Sequence, residues 1–150
     1  MRGVLIDADA AFSSPALRAR QTAEAAGLSA DRDPDLAECD FGCWTTLTLG
    51  EVHARDPEGL RAWFEDPHAA PHGGESQAQM AERVRRFLEH VDQGTTVAVT
   101  HGGVVKVAMI QILGAPYSSF WRIDVAPASI TELRRRDGTW TVARTNWTVG

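Results

Sequence analysis

A short apolar run that leads directly into a glycine-flanked histidine constrains this chain more than any other segment. Residues 97–99 are Val-Ala-Val, residues 100–103 are Thr-His-Gly-Gly, and a second apolar stretch covers residues 104–113. The first run is typical of a strand in a parallel sheet, and the second predicts a helix that stops at Gly114. Because ligands bind beyond the carboxyl ends of strands in open α/β sheets, we expect His101 to lie at a binding site.

The first half of the chain also alternates between strand and helix signals. Residues 10–12 predict a strand, and Ser14 with Pro15 suits the start of a helix that stops at Gly27. Residues 36–44 show no clear period and predict irregular structure, whereas residues 47–54 predict a short helix. Residues 10–27 therefore supply a second connection from a strand to a helix.

The second half contains the best helix signal and ends in a hairpin. Residues 76–91 repeat apolar side chains at helical spacing behind a Ser76 cap. Two strand-like runs follow, residues 120–125 and 129–133, and a turn at Asp137-Gly138 leads to a last strand at residues 140–143. This alternation predicts one domain with an α/β fold, a three-layer α/β/α sandwich with a mostly parallel sheet.

Composition and charge exclude several classes of protein. The 150 residues carry a net charge of -5, which argues against general nucleic-acid binding. No apolar run approaches the ~20 residues that a membrane span requires, and acids interrupt residues 1–11, unlike a signal peptide. Cys39 and Cys43 are too few for a disulfide framework or a zinc site. We therefore expect a cytoplasmic protein with reduced thiols and neither a metal nor a cofactor.

The helix after the first strand offers a cation for an anionic ligand. Arg18 lies about one turn into that helix, near the sheet end, and a planar guanidinium suits bidentate binding of phosphate. Arg20 is offset by two positions and should point elsewhere. Taken alone, Arg18 fits a solvated surface arginine better than a phosphate ligand.

Two further segments offer carboxyl groups. Glu38 is the candidate to protonate a leaving oxygen, and Asp40 is the alternative. Residues 71–76 are glycine-rich and open the long helix, so Glu75 can line the same pocket, while Ser76 caps the helix. Each acid taken alone fits an ordinary exposed side chain.

Four sequence blocks in this order resemble the histidine phosphatase (phosphoglycerate-mutase-like) superfamily, which includes phosphoglycerate mutases and α-ribazole phosphatase. The blocks are Ser-Pro-x-x-Arg-Ala-x-Gln-Thr-Ala at residues 14–23, Leu-x-Glu-x-Asp-Phe-Gly-x-Trp at 36–44, Gly-Gly-Glu-Ser at 73–76 and Thr-His-Gly-Gly at 100–103. This sequence departs from the family pattern after Trp44, where it has Thr45-Thr46 and family members usually have Glu-Gly.

The resemblance implies a role for each matched residue. Family members transfer the phosphoryl group to a histidine in an N-terminal Arg-His-Gly block. The resemblance implies that Arg18, His101 and Gly102 bind phosphate. It also implies that His101 and Glu38 are catalytic, with Glu38 as the acid and base. We also expect Glu75 and Ser14 to line the pocket.

No Arg-His-Gly tripeptide occurs in the 150 residues, and His101 is the one histidine of five that falls in a family block. We therefore expect Met1 to lie inside a longer gene, and the first strand and helix of the family fold to be absent. In the family that strand lies inside the sheet, so its loss predicts an exposed sheet edge or re-paired neighbours.

Four functions remain open at this point. The favoured one is a phosphomonoester hydrolase that acts on a small phosphorylated metabolite or otherwise binds inorganic phosphate, with its nucleophile missing from this chain. The alternatives are an inactive protein that binds phosphorylated ligands, a phosphoglycerate-mutase-type phosphotransferase, and a structural module that covers a bare sheet edge as a homodimer.

Overall fold

The computed structural model describes residues 7–91 and 93–148, in which strands and helices alternate. The helices are α1 (Leu17–Ala25), α2 (Leu49–Arg55), α3 (Pro57–Glu65), α4 (Gln77–His90) and α5 (Gly102–Leu113). The strands are β1 (Ala10–Ser13), β2 (Asp31–Arg32), β3 (Thr96–Val99), β4 (Ile130–Arg136) and β5 (Thr139–Trp147). Short 3-10 turns cover Pro34–Leu36, Gly42–Trp44 and Tyr117–Arg122.

The main sheet is parallel, with β1 between β2 and β3. Phe12 lies opposite Ala98, and Ser13 lies opposite Val99. Because all three strands run the same way, their carboxyl ends meet at one edge, where Ser14 and His101 follow β1 and β3. The predicted α/β class with a parallel sheet is confirmed.

The chain ends in the predicted hairpin, in which β4 and β5 pair antiparallel as a separate two-stranded sheet. Asp137 and Gly138 both adopt positive φ, 49° and 78°, at the turn between them. An Asp-Gly pair is favoured there because such a tight turn needs left-handed backbone at both positions.

The core lies where α4 packs against α5 and the sheet. Met80, Val84 and Val107 are each 1% exposed. Phe12 of β1 meets Phe87 of α4 edge to face, with ring centroids 5.7 Å apart. The helical spacing of apolar residues in α4 thus faces the interior, as the sequence predicts.

Two predicted strand features were wrong. Residues 120–125 were predicted as a strand, but residues Tyr117–Arg122 form a 3-10 turn that Pro116 initiates, with Ser119 N–H donating to the Pro116 carbonyl over 2.9 Å. Strand β3 was expected to be buried, yet Ala98 is exposed. Among residues 7–91 and 93–148, β1 is the one strand hydrogen-bonded to β3.

Two helix predictions also need correction. Ser14 was expected to cap the first helix at Pro15, but α1 begins at Leu17 without a side-chain cap. The Ser14 hydroxyl accepts from Ala16 N–H over 3.2 Å, just before the helix, and it also contacts His101 in the site described below. Helix α3 was not predicted, although Asp56 accepts from Gly59 N–H and Pro57 occupies the first turn.

Within residues 7–91 and 93–148, no helix is long and apolar enough to cross a membrane. The sequence interpretation of residues 1–11 concerns mainly residues 1–6, which lie outside the described residues.

Candidate active site

His101 is held from both sides by residues of the first strand-to-helix connection. Its Nε2 lies 2.7 Å from Ser14 Oγ, and its Nδ1 lies 3.0 Å from Arg18 Nη2. A guanidinium has donors and no acceptor, so Nδ1 accepts from Arg18 and Nε2 carries the proton donated to Ser14. The contacts therefore define a neutral imidazole in one tautomer.

Strand register brings these residues together. Ser14 N–H donates to the Val99 carbonyl over 2.9 Å, which continues the β1–β3 ladder by one residue. Arg18 lies in the first turn of α1, and His101 is the residue immediately before α5. Sequence analysis placed Arg18 and His101 at the same sheet edge, and the structure brings them into contact.

The amino end of α5 faces the same place. The first intrahelical hydrogen bond runs from Val105 N–H to the His101 carbonyl over 3.1 Å. The N–H groups of Gly102, Gly103 and Val104 therefore have no carbonyl four residues back within the helix. Free N–H groups and the helix dipole favour a bound anion at this end.

Glu38 is the carboxyl group beside His101. Its Oε2 lies 3.9 Å from His101 Nδ1, and its side chain is 33% exposed. A side chain at position 103 would place Cβ 2.8 Å from Glu38 Oε1, so Gly103 gives the carboxylate room. Thr100 Oγ1 donates to the Leu36 carbonyl over 2.7 Å and ties the segment before Glu38 to the end of β3.

Asp40, the alternative acid, has a different role in the structure. It is exposed, and its Oδ1 accepts from Gly42 N–H over 2.9 Å, which closes a local turn. The geometry thus places Glu38, not Asp40, next to the histidine.

The electrostatics of the site keep His101 neutral. Burial lowers the pKa of His101 below its ordinary value, and the charges of Arg18 and Arg83 act in the same direction. The Glu38 carboxylate opposes them. A bound anion beside Arg18 would favour the protonated imidazolium, so the ring can respond to its ligand.

Glu75 and Ser14, expected to line the pocket, both make internal contacts. Ser14 is 0% exposed, so its hydroxyl supports His101 from inside the protein. Both carboxylate oxygens of Glu75 accept from Arg83, at 2.6 Å from Nε and 2.9 Å from Nη2. Arg83 Nη1 also donates to the Asp35 carbonyl over 2.7 Å.

Sequence reasoning missed Arg83, although the sequence contains a signal for it. Arg83 lies three residues after Met80 and four before Phe87, on the apolar face of α4, and is 8% exposed. A charged residue on a buried helix face requires a paired acid nearby.

No group of three or more residues suited to a metal ion occurs in the part of the chain that the structure describes.

The sequence comparison with protein families decides the assignment. Residues 2–148 match the model of the histidine phosphatase superfamily, branch 1. The chain belongs to this superfamily. The resemblance read from the four sequence blocks is thereby confirmed.

Named relatives in the superfamily include several phosphatases. The chain is 37% identical to a bifunctional protein of Mycobacterium tuberculosis over 149 residues, 93% of this chain and 41% of that protein. It is 34% identical to phosphoserine phosphatase 1 of Hydrogenobacter thermophilus over 139 residues, 85% of this chain and 66% of that enzyme. The chain therefore spans about two-fifths of the mycobacterial relative and just under two-thirds of the second.

Solved structures of superfamily members share the fold. A mycobacterial glucosyl-3-phosphoglycerate phosphatase in complex with inorganic phosphate superimposes with a TM-score of 0.80 at 28% identity, covering 95% of this chain and 78% of that one. Bacillus stearothermophilus YhfR gives a TM-score of 0.83 at 27% identity, covering 97% and 77%. The site described above thus lies in the fold of a phosphatase superfamily.

Proposed function

We propose that this chain carries the phosphate-binding and proton-transfer groups of a phosphomonoester hydrolase that acts on a small phosphorylated metabolite. The observation that supports this most directly is the contact between Arg18, His101 and Ser14 at the amino end of α5, with Glu38 beside it. A guanidinium and free N–H groups can stabilise the charge on a transferring phosphoryl group, and a partly exposed acid can move the proton.

Phosphate binding is the first role in the proposal. Arg18 is exposed, and its guanidinium is oriented by the contact between Nη2 and Nδ1 of neutral His101, so its remaining N–H groups can donate to phosphate oxygens. The positive end of α5 also stabilises the anion. One relative of known structure, the mycobacterial glucosyl-3-phosphoglycerate phosphatase, was solved both with inorganic phosphate and with vanadate, which supports a phosphate site.

Proton transfer is the second role, assigned to Glu38. In the proposed first step a histidine nitrogen bonds to phosphorus, the bond from phosphorus to the leaving oxygen breaks, and Glu38 gives that oxygen its proton. In the second step Glu38 takes a proton from water, water oxygen bonds to phosphorus, and the phosphorus–nitrogen bond breaks. No metal enters this scheme, because side chains and N–H groups balance the charge.

The attacking histidine belongs, by resemblance, to the Arg-His-Gly block, which the 150 residues do not contain. His53, His68 and His90 are exposed, and His72 is buried among aromatic rings. His101 supports Arg18 in this scheme and is not the nucleophile. The missing nucleophile, the cytoplasmic location and a homodimer stay predictions.

The test measures binding and turnover separately on the 150-residue chain. Calorimetry with inorganic phosphate should show binding that Arg18→Ala weakens at least tenfold, because a charge-assisted contact contributes about 1.5–3 kcal/mol. Arg20→Ala is the matched control, since Arg20 lies on the same helix and makes no hydrogen bond to His101.

Turnover of p-nitrophenyl phosphate, with His101→Ala as its control, then separates the remaining functions. Binding without turnover fits a missing nucleophile, and equally fits a protein that binds phosphorylated ligands without hydrolysing them. The contact between Arg18 and His101 is present although the 150 residues contain no Arg-His-Gly block. This observation favours the second candidate function, a protein that binds phosphorylated ligands without hydrolysing them. No phosphate binding at all would reject both.

A further inference from the structure

His72 occupies an aromatic cage outside the phosphate site. The imidazole is 3% exposed, and its centroid lies 4.7 Å from the Trp63 ring and 5.0 Å from the Trp44 ring. Phe41 closes a third side, with centroids 5.9 Å apart. All three rings meet the imidazole in tilted or edge geometry, which suits an N–H group directed at a ring face.

The hydrogen bonds of His72 define its protonation state. Gly74 N–H donates to Nδ1 over 3.0 Å, so Nδ1 carries no proton. Nε2 is buried and has no hydrogen-bond partner, so its proton lies against the surrounding rings. Burial lowers the pKa of His72, and Asp40, the charged group that acts on it among the described residues, opposes this shift.

The loop that carries His72 is locked to the segment that carries Glu38. Cys43 N–H donates to the His72 carbonyl over 3.0 Å, and Glu75 N–H donates to the Asp40 carbonyl over 2.8 Å. A Cβ at Gly42 would lie 2.1 Å from the His72 carbonyl oxygen, and one at Gly74 would lie 2.1 Å from that of Asp40. The two backbones are therefore too close to admit any side chain between them.

The contacts between the two segments continue through Cys39 to the Glu38 carboxylate. Cys39 Sγ donates to the Glu75 carbonyl over 3.4 Å, and Cys39 N–H donates to Glu38 Oε1 over 3.0 Å. A displacement of residues 72–75 would thus move Cys39, and through it the carboxylate. Glu38 has no bond of its own to the helices of the core that would hold it independently, among the hydrogen bonds of the described residues.

We propose that neutral His72 is a positioning residue for Glu38. By accepting from Gly74 N–H, it holds residues 72–75 against residues 38–44 and so keeps Glu38 beside His101. The functional meaning of this inference rests on the proposed role of Glu38 as proton donor. Protonation of Nδ1 would set two donors, Nδ1–H and Gly74 N–H, against each other and would place a charge on a buried ring. The loop would then separate from the Glu38 segment as pH falls.

The first test uses the unmodified chain without phosphate, so it does not depend on turnover. Nitrogen-15 NMR should show His72 protonated at Nε2 at neutral pH. On acidification, the Cys39 amide signal should shift with the same midpoint as the His72 ring. A proton on His72 Nδ1 at neutral pH would overturn the proposal. A Cys39 amide chemical shift that does not change as His72 titrates would also overturn it.

Variants separate His72 from His101, which also titrates near Glu38. In His72→Asn, the amide oxygen can accept from Gly74 N–H in an Asx turn, so the Cys39 signal should keep its neutral-pH position and lose the His72 inflection. In His72→Phe the ring volume stays but the acceptor is lost, so the Cys39 and Glu38 signals should move at neutral pH.

His68→Asn is the matched control, because His68 is exposed and lies four residues earlier in the chain. It should leave both signals unchanged. A folded His72→Phe with unchanged Cys39 and Glu38 signals would refute the positioning role, and if that variant does not fold, the wild-type and His72→Asn titrations decide alone. Absence of phosphatase activity would leave these shifts intact, so the two proposals fail separately.

Discussion

Replacing Arg83 by methionine should destabilise the protein more than any change to an exposed charge on the same helix. Arg83 is 8% exposed and donates to both oxygens of Glu75 and to the Asp35 carbonyl. Its stem can be replaced by methionine at similar length, but the carboxylate of Glu75, with 18% of its side chain exposed, would lose its partner. The variant thus leaves a mostly buried charge unpaired.

The size of the effect follows from that unpaired charge. Removing one partner of a buried ion pair costs about 3–5 kcal/mol. For a chain of this length each kcal/mol lowers the melting temperature by about 3 °C, so Arg83→Met should melt roughly 9–15 °C below the wild type. Replacing both partners, as Glu75→Gln with Arg83→Met, should restore part of the loss because no charge is then left buried.

Thermal and urea unfolding followed by circular dichroism provide the assay. Arg85→Met is the matched control, since Arg85 lies on the same helix and pairs with Glu82 and Glu89 where all three side chains are about half exposed. Such pairs are solvated and contribute little. Equal losses for Arg83→Met and Arg85→Met would refute the argument. A double variant that is no more stable than Arg83→Met alone would refute it as well.

Three shorter predictions concern thiols, glycines and pH. Burial and the neighbouring carboxylates raise the pKa of Cys39 to about 12, so a disulfide reagent at neutral pH should label exposed Cys43 alone, and two rapid equivalents would contradict this. Gly73→Ala should cost about 1–2 kcal/mol for its left-handed φ; Gly74→Ala should cost more, because its Cβ meets backbone, and calorimetry giving equal losses would count against the clash. Folding lowers the pKa of His101, so between the lowered value and about 6.5 the unfolded chain binds more protons than the folded one. The free energy of unfolding should therefore fall as the pH drops through this window. His101→Asn should make that dependence on pH less steep, as measured by urea unfolding at several pH values.

Sequence predicted well the features that depend on local periodicity. The apolar spacing and Ser76 cap of α4 placed that helix to within a residue at each end, and Gly114 ended α5 with φ of 59°. The strand before His101 was predicted because a short apolar run bounded by glycines has few other solutions. These signals need no knowledge of which segments meet in space.

Sequence alone did not show which polar groups would be buried together. Arg83 and Glu75 are eight residues apart, on a helix and in the loop before it, and their pairing depends on the path of that loop. The strand prediction at residues 120–125 failed because the aromatic spacing there fits a 3-10 turn as well as a strand, and Pro116 decides between them. The path of a loop in the folded chain thus determines the ion pair, whereas a local proline determines the 3-10 turn.

The register between β1 and β3 is the feature on which the whole site depends. Ser13 lies opposite Val99, so Ser14 leaves the sheet at the level where it meets His101, which follows Val99 by two residues. A slip of one residue would exchange the two faces of β1 and put Pro15 or Ser13 in place of Ser14. Phe12 would then turn away from Phe87, and the packing of α4 on the sheet would be lost. The apolar core therefore fixes the register, and the register in turn brings the hydroxyl, the imidazole and the guanidinium to one point.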